Sequence, residues 1–372
     1  MKIMVIGLRA AFGTQGGIES HVRDIMTSMA QSRGRECSIE IIERKRFVST
    51  NRSLPKGIAA LKLTQIWCPK STSLEAIVHS FLATLYAGFK RPDILHIHGI
   101  GPSLVAPLAR LLGLKIVVTH HGEDYGRDKW GAFAKLMLRL GEYFASNFSN
   151  ARIVIAPGLD EKLQTKFARK FNYIPNAVPK CNRIKRGPIL GKFELRPGKY
   201  LLHVGRIVPE KCQLDLIEAF KTLETDWNLV LVGGSDHESE YSRSVLNGAQ
   251  TDSRVVMTGS LDREAVAELL SHAGGFALPS THEGLPIALL EAMSYGLPII
   301  VSALPTLISL NLPSEVYVIP KDISDLSAKI QNLIDNSPKE PIPHRWEKHL
   351  DMFKLENVTE GTFKVYQTIF KN

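Results

Sequence analysis

The sequence predicts an α/β protein built from two doubly wound domains, and three observations support this class. Short apolar runs alternate with helical stretches along most of the chain, as expected for parallel strands buried beneath helices. A stretch near residues 177–199, rich in proline, glycine and basic side chains, interrupts the alternation and indicates a domain boundary. With 372 residues, the chain is long enough for two such domains with sizeable cores.

The first domain is predicted over residues 1–180. Its apolar runs are short and end at turn residues, which is typical of strands buried on both faces. Apolar residues at helical spacing occupy the intervals. The predicted strands are 2–7, 37–42, 63–67, 93–97, 115–119, 152–156 and 171–174, and the predicted helices are 17–31, 73–89, 103–112, 131–147 and 159–168.

A linker over 181–198 leads to a second domain, predicted over 199–343, where the alternation restarts. The last segment, 344–372, carries aromatic and apolar residues at helical spacing. A helix returning to the first domain explains this segment, and so does a helix packed on its own domain. The second-domain strands are predicted at 200–204, 228–232, 254–257, 275–278, 298–301 and 316–319, and the helices at 213–223, 238–247, 262–271, 287–295 and 322–336.

Charge is distributed unevenly along the chain. Residues 1–185 hold 28 Lys and Arg against 13 Asp and Glu, a net charge of +15, whereas the remainder has a net charge of −6. The first half is therefore expected to meet an anionic partner, although a solvated basic face explains the same numbers. Nucleic acid is not supported, because no binding module or interleaved stacking aromatics are present.

The composition of one predicted helix favours a membrane surface as the anionic partner. Residues 126–148 combine aromatic, leucine and basic side chains, with Trp130, Phe133, Lys135 and Arg139 as candidates for lipid contact. Core packing with a wet basic edge explains that stripe equally well. No apolar stretch approaches the ~20 residues of a membrane span. Four scattered cysteines without a CxxC or zinc pattern fit a reduced, cytoplasmic setting.

The most informative segment runs from Ser280 to Glu291. Pro286 is suited to open a helix, since its missing N–H needs no partner there. Glu283 then lies just before the helix and Glu291 lies within it. Free amides at a helix start attract phosphate, whereas carboxylates repel phosphate unless they hold hydroxyls. Together these features indicate a ligand with both phosphates and hydroxyls, such as a nucleotide sugar.

Two other loops follow predicted strands. Arg206 ends a strand and Lys211 precedes the next helix, so that two cations could neutralise a diphosphate without a metal, or form an ordinary surface pair. The first loop contains Gly16 and Gly17, which allow close approach of backbone to a ligand. A tight strand–helix turn is the other reading of those glycines.

Four histidines follow the predicted strands of the first domain. His96 and His98 share one strand face, and His120 and His121 end the next strand. No carboxylate or cysteine recurs at a recognised ligand spacing, so a metal site is not predicted. We expect one of the first pair to be structural and another histidine to point towards a ligand.

The order and spacing of these motifs resemble glycosyltransferase family 4, which consists of retaining enzymes of the GT-B fold. That fold implies two Rossmann-like domains facing each other across a cleft. One departure is Cys212, where the family often has glycine. The resemblance rests on Gly16–Glu19, Asp93–His98, His120–Gly122, Ile174–Val178, Gly205–Lys211 and the stretch from Glu283 through Glu291 to Pro298.

The resemblance assigns roles by position. In the second domain, Arg206 and Lys211 would hold the donor diphosphate, Glu283 the sugar hydroxyls and Glu291 the ribose. Three neighbours, Gly284, Leu285 and Ile287, would lie near the diphosphate or the sugar.

In the first domain, Gly16 and Gly17 would close over the phosphates. His121 would face the transferred sugar, with His120 as the fallback if the register differs by one. His121, Arg206, Lys211 and Glu283 are therefore the catalytic candidates.

The implied activity is retaining, metal-independent transfer of a hexose-type sugar from a nucleotide-diphosphate sugar. The acceptor would be a glycan or polyprenyl-diphosphate-linked saccharide of a bacterial capsule, O-antigen or exopolysaccharide. No cofactor is expected, and the enzyme would be peripheral at the inner face of the cytoplasmic membrane. Two alternatives are a nucleotide-sugar epimerase of similar architecture and a non-catalytic nucleotide-sugar-binding protein.

Overall fold

The computed structural model describes residues 1–12, 16–48, 57–71, 74–123, 125, 131–178, 183–235, 238–338, 342 and 344–371. The chain divides into two compact units. Unit 1 comprises Met1–Pro179 and Met352–Asn372, and unit 2 comprises Lys180–Asp351.

Unit 1 contains a fully parallel sheet of seven strands. They are β1 (Lys2–Ile6), β2 (Ser38–Arg44), β3 (Leu61–Ile66), β4 (Ile94–His98), β5 (Ile116–His120), β6 (Ala151–Val154) and β7 (Asn172–Tyr173). Their order is β3-β2-β1-β4-β5-β6-β7, so the direction of strand addition reverses between β1 and β4. All seven predicted strands are confirmed, with ends shifted by one or two residues.

Helices cover both faces of this sheet because its strands are apolar on both sides. Alternate residues of β1 show the division, since Ile3 and Val5 belong to one core and Met4 and Ile6 to the other. The second of these cores also includes alanines of the second, third and fourth helices. The first five helices are α1 (Gly17–Arg33), α2 (Glu75–Lys90), α3 (Ala106–Leu111), α4 (Ala132–Phe148) and α5 (Leu159–Phe167).

Unit 2 repeats this plan with six parallel strands. They are β8 (Tyr200–Val204), β9 (Asn228–Val232), β10 (Val255–Gly259), β11 (Gly275–Leu278), β12 (Ile299–Ser302) and β13 (Tyr317–Val318), in the order β10-β9-β8-β11-β12-β13. The reversal here lies between β8 and β11. Ligands of doubly wound sheets bind outside the carboxyl ends of strands at such a reversal, which directs attention to the loops after these strands.

The helices of unit 2 include the five predicted ones and three short ones that the sequence did not predict. They are α6 (Pro188–Lys192), α7 (Gln213–Lys221), α8 (Glu240–Gln250), α9 (Arg263–His272), α10 (Ile287–Ser294), α11 (Pro305–Ile308), α12 (Ile323–Asp335) and α13 (Glu347–Leu350). The unpredicted α6 lies within 181–198. Its Leu190 amide and the Gly187 amide each donate to the Glu268 carboxylate at 3.0 Å, which fastens this segment to α9.

The final helix, α14 (Leu355–Lys371), belongs to unit 1. It packs on α1, and Val358, Phe363 and Tyr366 extend the core on that face of the sheet. In the described part of the chain, no helix combines the length and apolar character needed to cross a membrane.

Candidate active site

Cationic and anionic side chains meet at the carboxyl edge of the unit 2 sheet. Lys211 comes from the loop after β8, and Glu283 comes from the loop after β11. The Lys211 Nζ lies 2.5 Å from the Glu283 Oε1, and their side chains are 19% and 8% exposed. A mostly buried ion pair of this kind is well placed to exchange partners with a charged ligand, because both groups still reach the surface.

The loops that carry this pair are braced by backbone contacts. The Gly205 amide donates to the Val232 carbonyl at 2.9 Å, and the Ile207 amide donates to the Gly234 carbonyl at 3.0 Å. Gly233 has a φ of +137°, and a Cβ there would lie 2.0 Å from the Gly205 carbonyl oxygen. Only glycine permits this approach, which fixes the position of the neighbouring Arg206 backbone.

Glu283 is held through its main chain from a second direction. The Thr306 hydroxyl donates to the Glu283 carbonyl at 2.9 Å, and the Thr281 amide donates to the Glu210 carbonyl at 2.9 Å. The second contact joins the loop that carries Lys211 to the loop that carries Glu283. The ion pair is therefore positioned by the scaffold and does not depend on two flexible side chains finding each other.

Helix α10 begins beside Glu283 and presents an uncapped start. Pro286 occupies the N-cap with φ −72° and ψ 119°, and no side chain caps the helix. The predicted start of this helix at residue 287 is confirmed, because the extended ψ of Pro286 leaves Ile287 as the first helical residue. Gly284 and Leu285 form the approach to the helix, and the first-turn amides carry the positive end of its dipole.

Glu291 lies in the second turn of α10, partly exposed, with the Ser294 hydroxyl donating to its carbonyl at 2.6 Å. Helix α10 thus carries the Glu291 carboxylate about one turn after the free amides at its start. Arg206 is also partly exposed and follows β8. Unit 2 therefore brings Lys211 and Glu283 together at one sheet edge, with Arg206 on the loop of Lys211 and Glu291 on the helix that follows Glu283.

Sequence reasoning missed a supporting layer beneath Arg206. The Gln213 side-chain amide donates to the Arg206 carbonyl at 2.8 Å and lies 3.3 Å from the His203 Nε2. His203 Nδ1 in turn contacts the Ala277 carbonyl at 2.9 Å. Burial lowers the pKa of His203 to about 4, so the ring is neutral, with Nδ1–H donating and Nε2 accepting. A histidine near the end of an apolar strand is the sequence signal for this layer.

At the carboxyl edge of the unit 1 sheet, the first feature is the start of α1. Gly16 is its N-cap and Gly17 its first residue, and no side chain caps the helix. A Cβ on Gly16 would lie 2.1 Å from the Glu19 carboxylate, whereas one on Gly17 would meet nothing within 4 Å. The Glu19 carboxylate accepts the Arg9 amide at 3.1 Å. The two glycines thus differ, since one makes room for a carboxylate and the other faces open space.

The histidines of unit 1 separate into different roles. His96 is fully enclosed, with Nδ1 2.6 Å from the Tyr366 hydroxyl of α14 and Nε2 2.7 Å from the Thr119 hydroxyl. Burial lowers its pKa to about 3. Both ring nitrogens are used inside the protein, which confirms that one histidine of the β4 pair is structural.

His98 and His121 form a close pair beside His21 of α1. The His98 Nδ1 lies 3.0 Å from the His121 Nε2. The ring centroid of His21 lies 5.6 Å from that of His98 and 5.0 Å from that of His121. Burial lowers the pKa of all three, to about 4 for His21, so these rings are neutral at pH 7. His121 alone among them is partly exposed.

His120 points to the opposite side, into the layer of α4. Its Nε2 lies 3.1 Å from the Oε1 of Glu142, a fully buried carboxylate. Glu142 also accepts from the Lys166 Nζ at 2.5 Å and from the Tyr125 hydroxyl at 3.2 Å. Burial raises the pKa of Glu142, but the hydrogen bonds from His120 and Lys166 outweigh it, and the carboxylate stays ionised.

The turn after β5 couples His120 to the position of its neighbour. The Gly122 amide donates to the His120 Nδ1 at 3.2 Å, and Gly122 has a φ of +129°. Glycine alone adopts that backbone without strain. His120 therefore holds the turn in place from the buried side. His121 is left partly exposed beside His21 and His98. Glu142 was not predicted, because its signal in the sequence is an ordinary helical glutamate.

Two parallel-sheet units, each with ligand-type residues at its carboxyl edge, define the class of protein: the fold is GT-B, the architecture of glycosyltransferases. A sucrose-phosphate synthase from Thermosynechococcus elongatus has a TM-score of 0.81 at 20% identity, covering 100% of this chain and 99% of its own. HepE from Anabaena, solved with UDP and glucose, has a TM-score of 0.79 at 16% identity, covering 99% of this chain and 100% of its own.

The sequence itself identifies the family. Residues 15–180 match the model of Glycosyltransferase Family 4, and residues 192–349 match that of Glycosyl transferases group 1. A lipopolysaccharide 1,6-galactosyltransferase from Salmonella typhimurium is 31% identical over 99% of this chain and 100% of its own length. The chain belongs to glycosyltransferase family 4.

Other curated relatives match over part of their length. O-antigen chain mannosyltransferase B from Escherichia coli is 27% identical over 63% of this chain and 61% of its own. The UDP-Gal:alpha-D-GlcNAc-diphosphoundecaprenol alpha-1,3-galactosyltransferase from Escherichia coli is 30% identical over 59% of this chain and 61% of its own. The matched region thus spans about six tenths of these two relatives.

Proposed function

We propose that this chain transfers a hexose-type sugar from a nucleotide-diphosphate sugar to a saccharide acceptor during synthesis of a bacterial surface polysaccharide. The observation that carries the proposal is the Lys211–Glu283 pair, 2.5 Å apart, beside the uncapped start of α10. This arrangement offers a cation and amides to phosphate and carboxylates to hydroxyls. The end-to-end match to a lipopolysaccharide galactosyltransferase supports the same substrate class.

The donor is assigned to unit 2. Arg206, Lys211 and the first-turn amides of α10 would bind the diphosphate, with Gly284, Leu285 and Ile287 at its approach. Glu283 would exchange its bond with Lys211 for the hydroxyls of the donor sugar, and Glu291 would hold the ribose. HepE, which shares the fold, was solved with UDP and glucose, in keeping with a nucleotide-sugar donor.

The proposed chemistry is transfer with retained configuration and without a metal. The bond between the anomeric carbon and the diphosphate oxygen breaks, and both electrons leave with the diphosphate as an oxocarbenium-like centre develops. Arg206, Lys211 and the helix amides stabilise that departing charge. The acceptor hydroxyl attacks the same face, and its proton passes to a diphosphate oxygen.

Unit 1 would supply the acceptor side. His121 is the histidine proposed to face the sugar, since its ring is partly exposed whereas His120 is buried against Glu142. The neutral ring of His121, with its Nε2 held 3.0 Å from His98, suits hydrogen bonding to a hydroxyl. Gly16 and Gly17 would contribute the uncapped start of α1 to the phosphates.

A polyprenyl-diphosphate-linked acceptor would place the enzyme at the inner face of the cytoplasmic membrane. One relative carries such an acceptor, diphosphoundecaprenol, in its name. An exposed apolar surface in unit 1, which the sequence did not predict, supports this proposed location. Helix α2 exposes an apolar stripe at helical spacing, with Phe89 82% exposed. The stripe comprises Leu74, Ile77, Phe81, Leu85 and Phe89.

A second exposed stripe on α4 supports the same surface. Phe133 is 75% exposed, and Leu136 and Tyr143 follow it on the same face of the helix. Both α2 and α4 pack against the segment that includes the 3₁₀ turn Pro102–Val105, so they cover the same face of the sheet. Exposed Lys90 and Arg139 give this apolar surface positive charge. Trp130, predicted to take part, lies outside the described residues.

The donor assignment is tested by screening nucleotide sugars for a rise in melting temperature, because a ligand that binds the folded state raises it. The stabilising donor is then incubated with and without a diphosphoundecaprenol-linked saccharide, without added divalent metal. Transferase activity predicts a new lipid-linked product with the donor's anomeric configuration. An isomerised sugar without acceptor would identify an epimerase, and binding without any reaction would identify a binding protein.

Membrane docking is tested by sedimentation with vesicles. We expect binding to anionic phosphatidylglycerol vesicles that weakens with salt, and little binding to neutral phosphatidylcholine vesicles. The Phe81→Ser/Phe89→Ser variant should bind at least about tenfold more weakly, since each buried phenylalanine contributes about 1.5–3 kcal/mol. Phe370→Ser removes an exposed phenylalanine elsewhere in unit 1 and is the matched control. Equal binding by both variants would exclude α2 as the docking surface.

A further inference from the structure

Three imidazoles of unit 1 converge in a geometry that neither the sequence patterns nor the proposed transfer reaction requires. They are His21 on α1, His98 at the end of β4 and His121 just after β5. One ring nitrogen of each lies within 4.8 Å of the corresponding nitrogen of the others. The ring centroids are separated by 5.0, 5.3 and 5.6 Å, so the three rings form a nearly equilateral triangle.

This triangle has the dimensions of a three-histidine metal site. Zinc binds histidine nitrogen at about 2.0–2.1 Å with tetrahedral angles, which separates two ligand nitrogens by about 3.4 Å. The His98 Nδ1 and His121 Nε2 are already 3.0 Å apart. The other nitrogen pairs lie within 4.8 Å and need to approach by at most about 1.4 Å, which side-chain rotation can supply.

The protonation states and the scaffold also suit a metal. Burial keeps the pKa of all three histidines below the ordinary value, so each ring has a lone pair at pH 7. His98 is fixed at the end of a central strand. The ligands are therefore neutral and largely preorganised.

We propose that His21, His98 and His121 bind one ion of the zinc class, with a fourth coordination position open to an exogenous ligand. Imidazole ligands favour Zn²⁺ and Co²⁺, whereas Mg²⁺ and Ca²⁺ require oxygen ligands that this set of three lacks. The ion is not a cofactor of transfer. It binds the ring of His121, the residue proposed to face the sugar, and thereby makes this cluster a site of inhibition by zinc.

The test uses the full chain without a histidine tag, stripped of metal with a chelator. Titration with Co²⁺ should give the visible absorption of a low-coordinate, nitrogen-ligated ion, and Zn²⁺ should displace it in a one-to-one ratio. Calorimetry with Zn²⁺ should show binding that is at least about tenfold weaker in His98→Asn. His344→Asn removes an exposed histidine of unit 2 and should bind as tightly as the wild type.

The outcomes separate a metal site from a histidine hydrogen bond. Equal Zn²⁺ affinity in His98→Asn, His344→Asn and the wild type would overturn the proposal, as would the absence of a Co²⁺ spectrum. If His98→Asn does not fold, as judged by circular dichroism, His21→Asn takes its place. Saturating Mg²⁺ should leave the Co²⁺ spectrum unchanged, and displacement by Mg²⁺ would contradict the assigned ligand chemistry.

The inhibitory consequence rests on the proposed function, and it is measured separately. Zn²⁺ should reduce transfer by the wild type in the concentration range of the calorimetric binding, and chelation should restore transfer. Binding without inhibition would keep the metal site but remove His121 from the reaction. A chain without transferase activity would still show the Co²⁺ spectrum if the site exists.

Discussion

The two units share one topology but place different chemistry at the carboxyl edge of the sheet. In unit 1 this edge carries neutral histidines, His21, His98 and His121, whose rings contact one another. In unit 2 the edge carries an ion pair of Lys211 and Glu283 beside the start of α10. The same doubly wound scaffold therefore presents hydrogen-bonding, uncharged groups in one unit and fixed charges in the other.

This difference fits two separate roles in glycosyl transfer, binding of the diphosphate and binding of the sugar. Charges that partly reach solvent suit a diphosphate, which needs cations and amides as its negative charge grows. Neutral imidazoles suit a sugar ring, whose hydroxyls both donate and accept. A charged pair of unit 1, Glu142 with Lys166, lies instead on the side to which His120 points, with Glu142 buried against His120 and Lys166 half exposed. Acid and substitutions at the two sheet edges should therefore affect stability and turnover differently in the two units.

Acid should destabilise unit 1 before unit 2, and this is the largest expected effect. Burial lowers the pKa of His21 and His79 to about 4 and of His96 to about 3. A histidine with an unfolded pKa near 6.5 takes up protons more readily when unfolded, so stability falls as the pH drops below about 6.5. At pH 5 each such histidine costs about 2 kcal/mol, and the loss ends near its folded pKa.

Unit 2 contributes His203 to this effect, with a pKa lowered to about 4 by burial. Hydrogen exchange followed by mass spectrometry, corrected for intrinsic rates, should show unit 1 peptides losing protection between pH 6.5 and 5 before unit 2 peptides do. Simultaneous loss in both units would contradict the comparison.

Lys211→Ala should reduce turnover by about 10²–10³-fold, as expected for loss of a group that stabilises transition-state charge. The variant leaves the Glu283 carboxylate, 8% exposed, without its ion-pair partner, which also opposes binding of a diphosphate. Steady-state kinetics with the identified donor measures both kcat and KM. Lys199→Ala is the control in unit 2, since Lys199 forms an exposed pair with Asp226 and its loss should leave turnover unchanged.

Glu142→Leu should affect stability more than turnover, the reverse of the pattern at Lys211. The substitution leaves the His120 Nε2 without an acceptor in a buried place, at a cost of about 1–3 kcal/mol, whereas the Tyr125 hydroxyl keeps the Glu123 carboxylate as its acceptor. Lys166 is half exposed and can turn to solvent. Urea unfolding should show the loss, and Glu142→Gln, which keeps an acceptor, should lose less. A stable Glu142→Leu protein with abolished turnover would place Glu142 in the reaction itself.

The sequence predicted the elements of both units better than the contacts between their side chains. Apolar runs followed by turn residues define strands locally, which is why thirteen strands were predicted and thirteen are described. Lys211 and Glu283 were predicted for one site because strand ends of a parallel sheet share an edge. Their direct ion pair depends on loop geometry, and Glu142 gave no signal because a buried carboxylate on a helix looks like a solvated one in sequence. Short helices such as α6 were missed because five residues, fewer than two turns, carry too little periodicity.

Cys212 offers the smallest effect and a direct test of local backbone strain in the loop of Lys211. It has φ +55° and ψ +38°, and its side chain is buried. Glycine removes the strain of the left-handed backbone, which is about 1–2 kcal/mol. It also loses the packing of the cysteine side chain, but alanine largely loses the same packing. Cys212→Gly should therefore be more stable than Cys212→Ala by about 1 kcal/mol in urea unfolding. At Cys37, a buried cysteine of unit 1 outside the left-handed positions, glycine should instead be the less stable of the two. If glycine is the less stable substitution at both positions, the left-handed backbone at Cys212 is not strained, and the glycine usual in the family at this position needs another explanation.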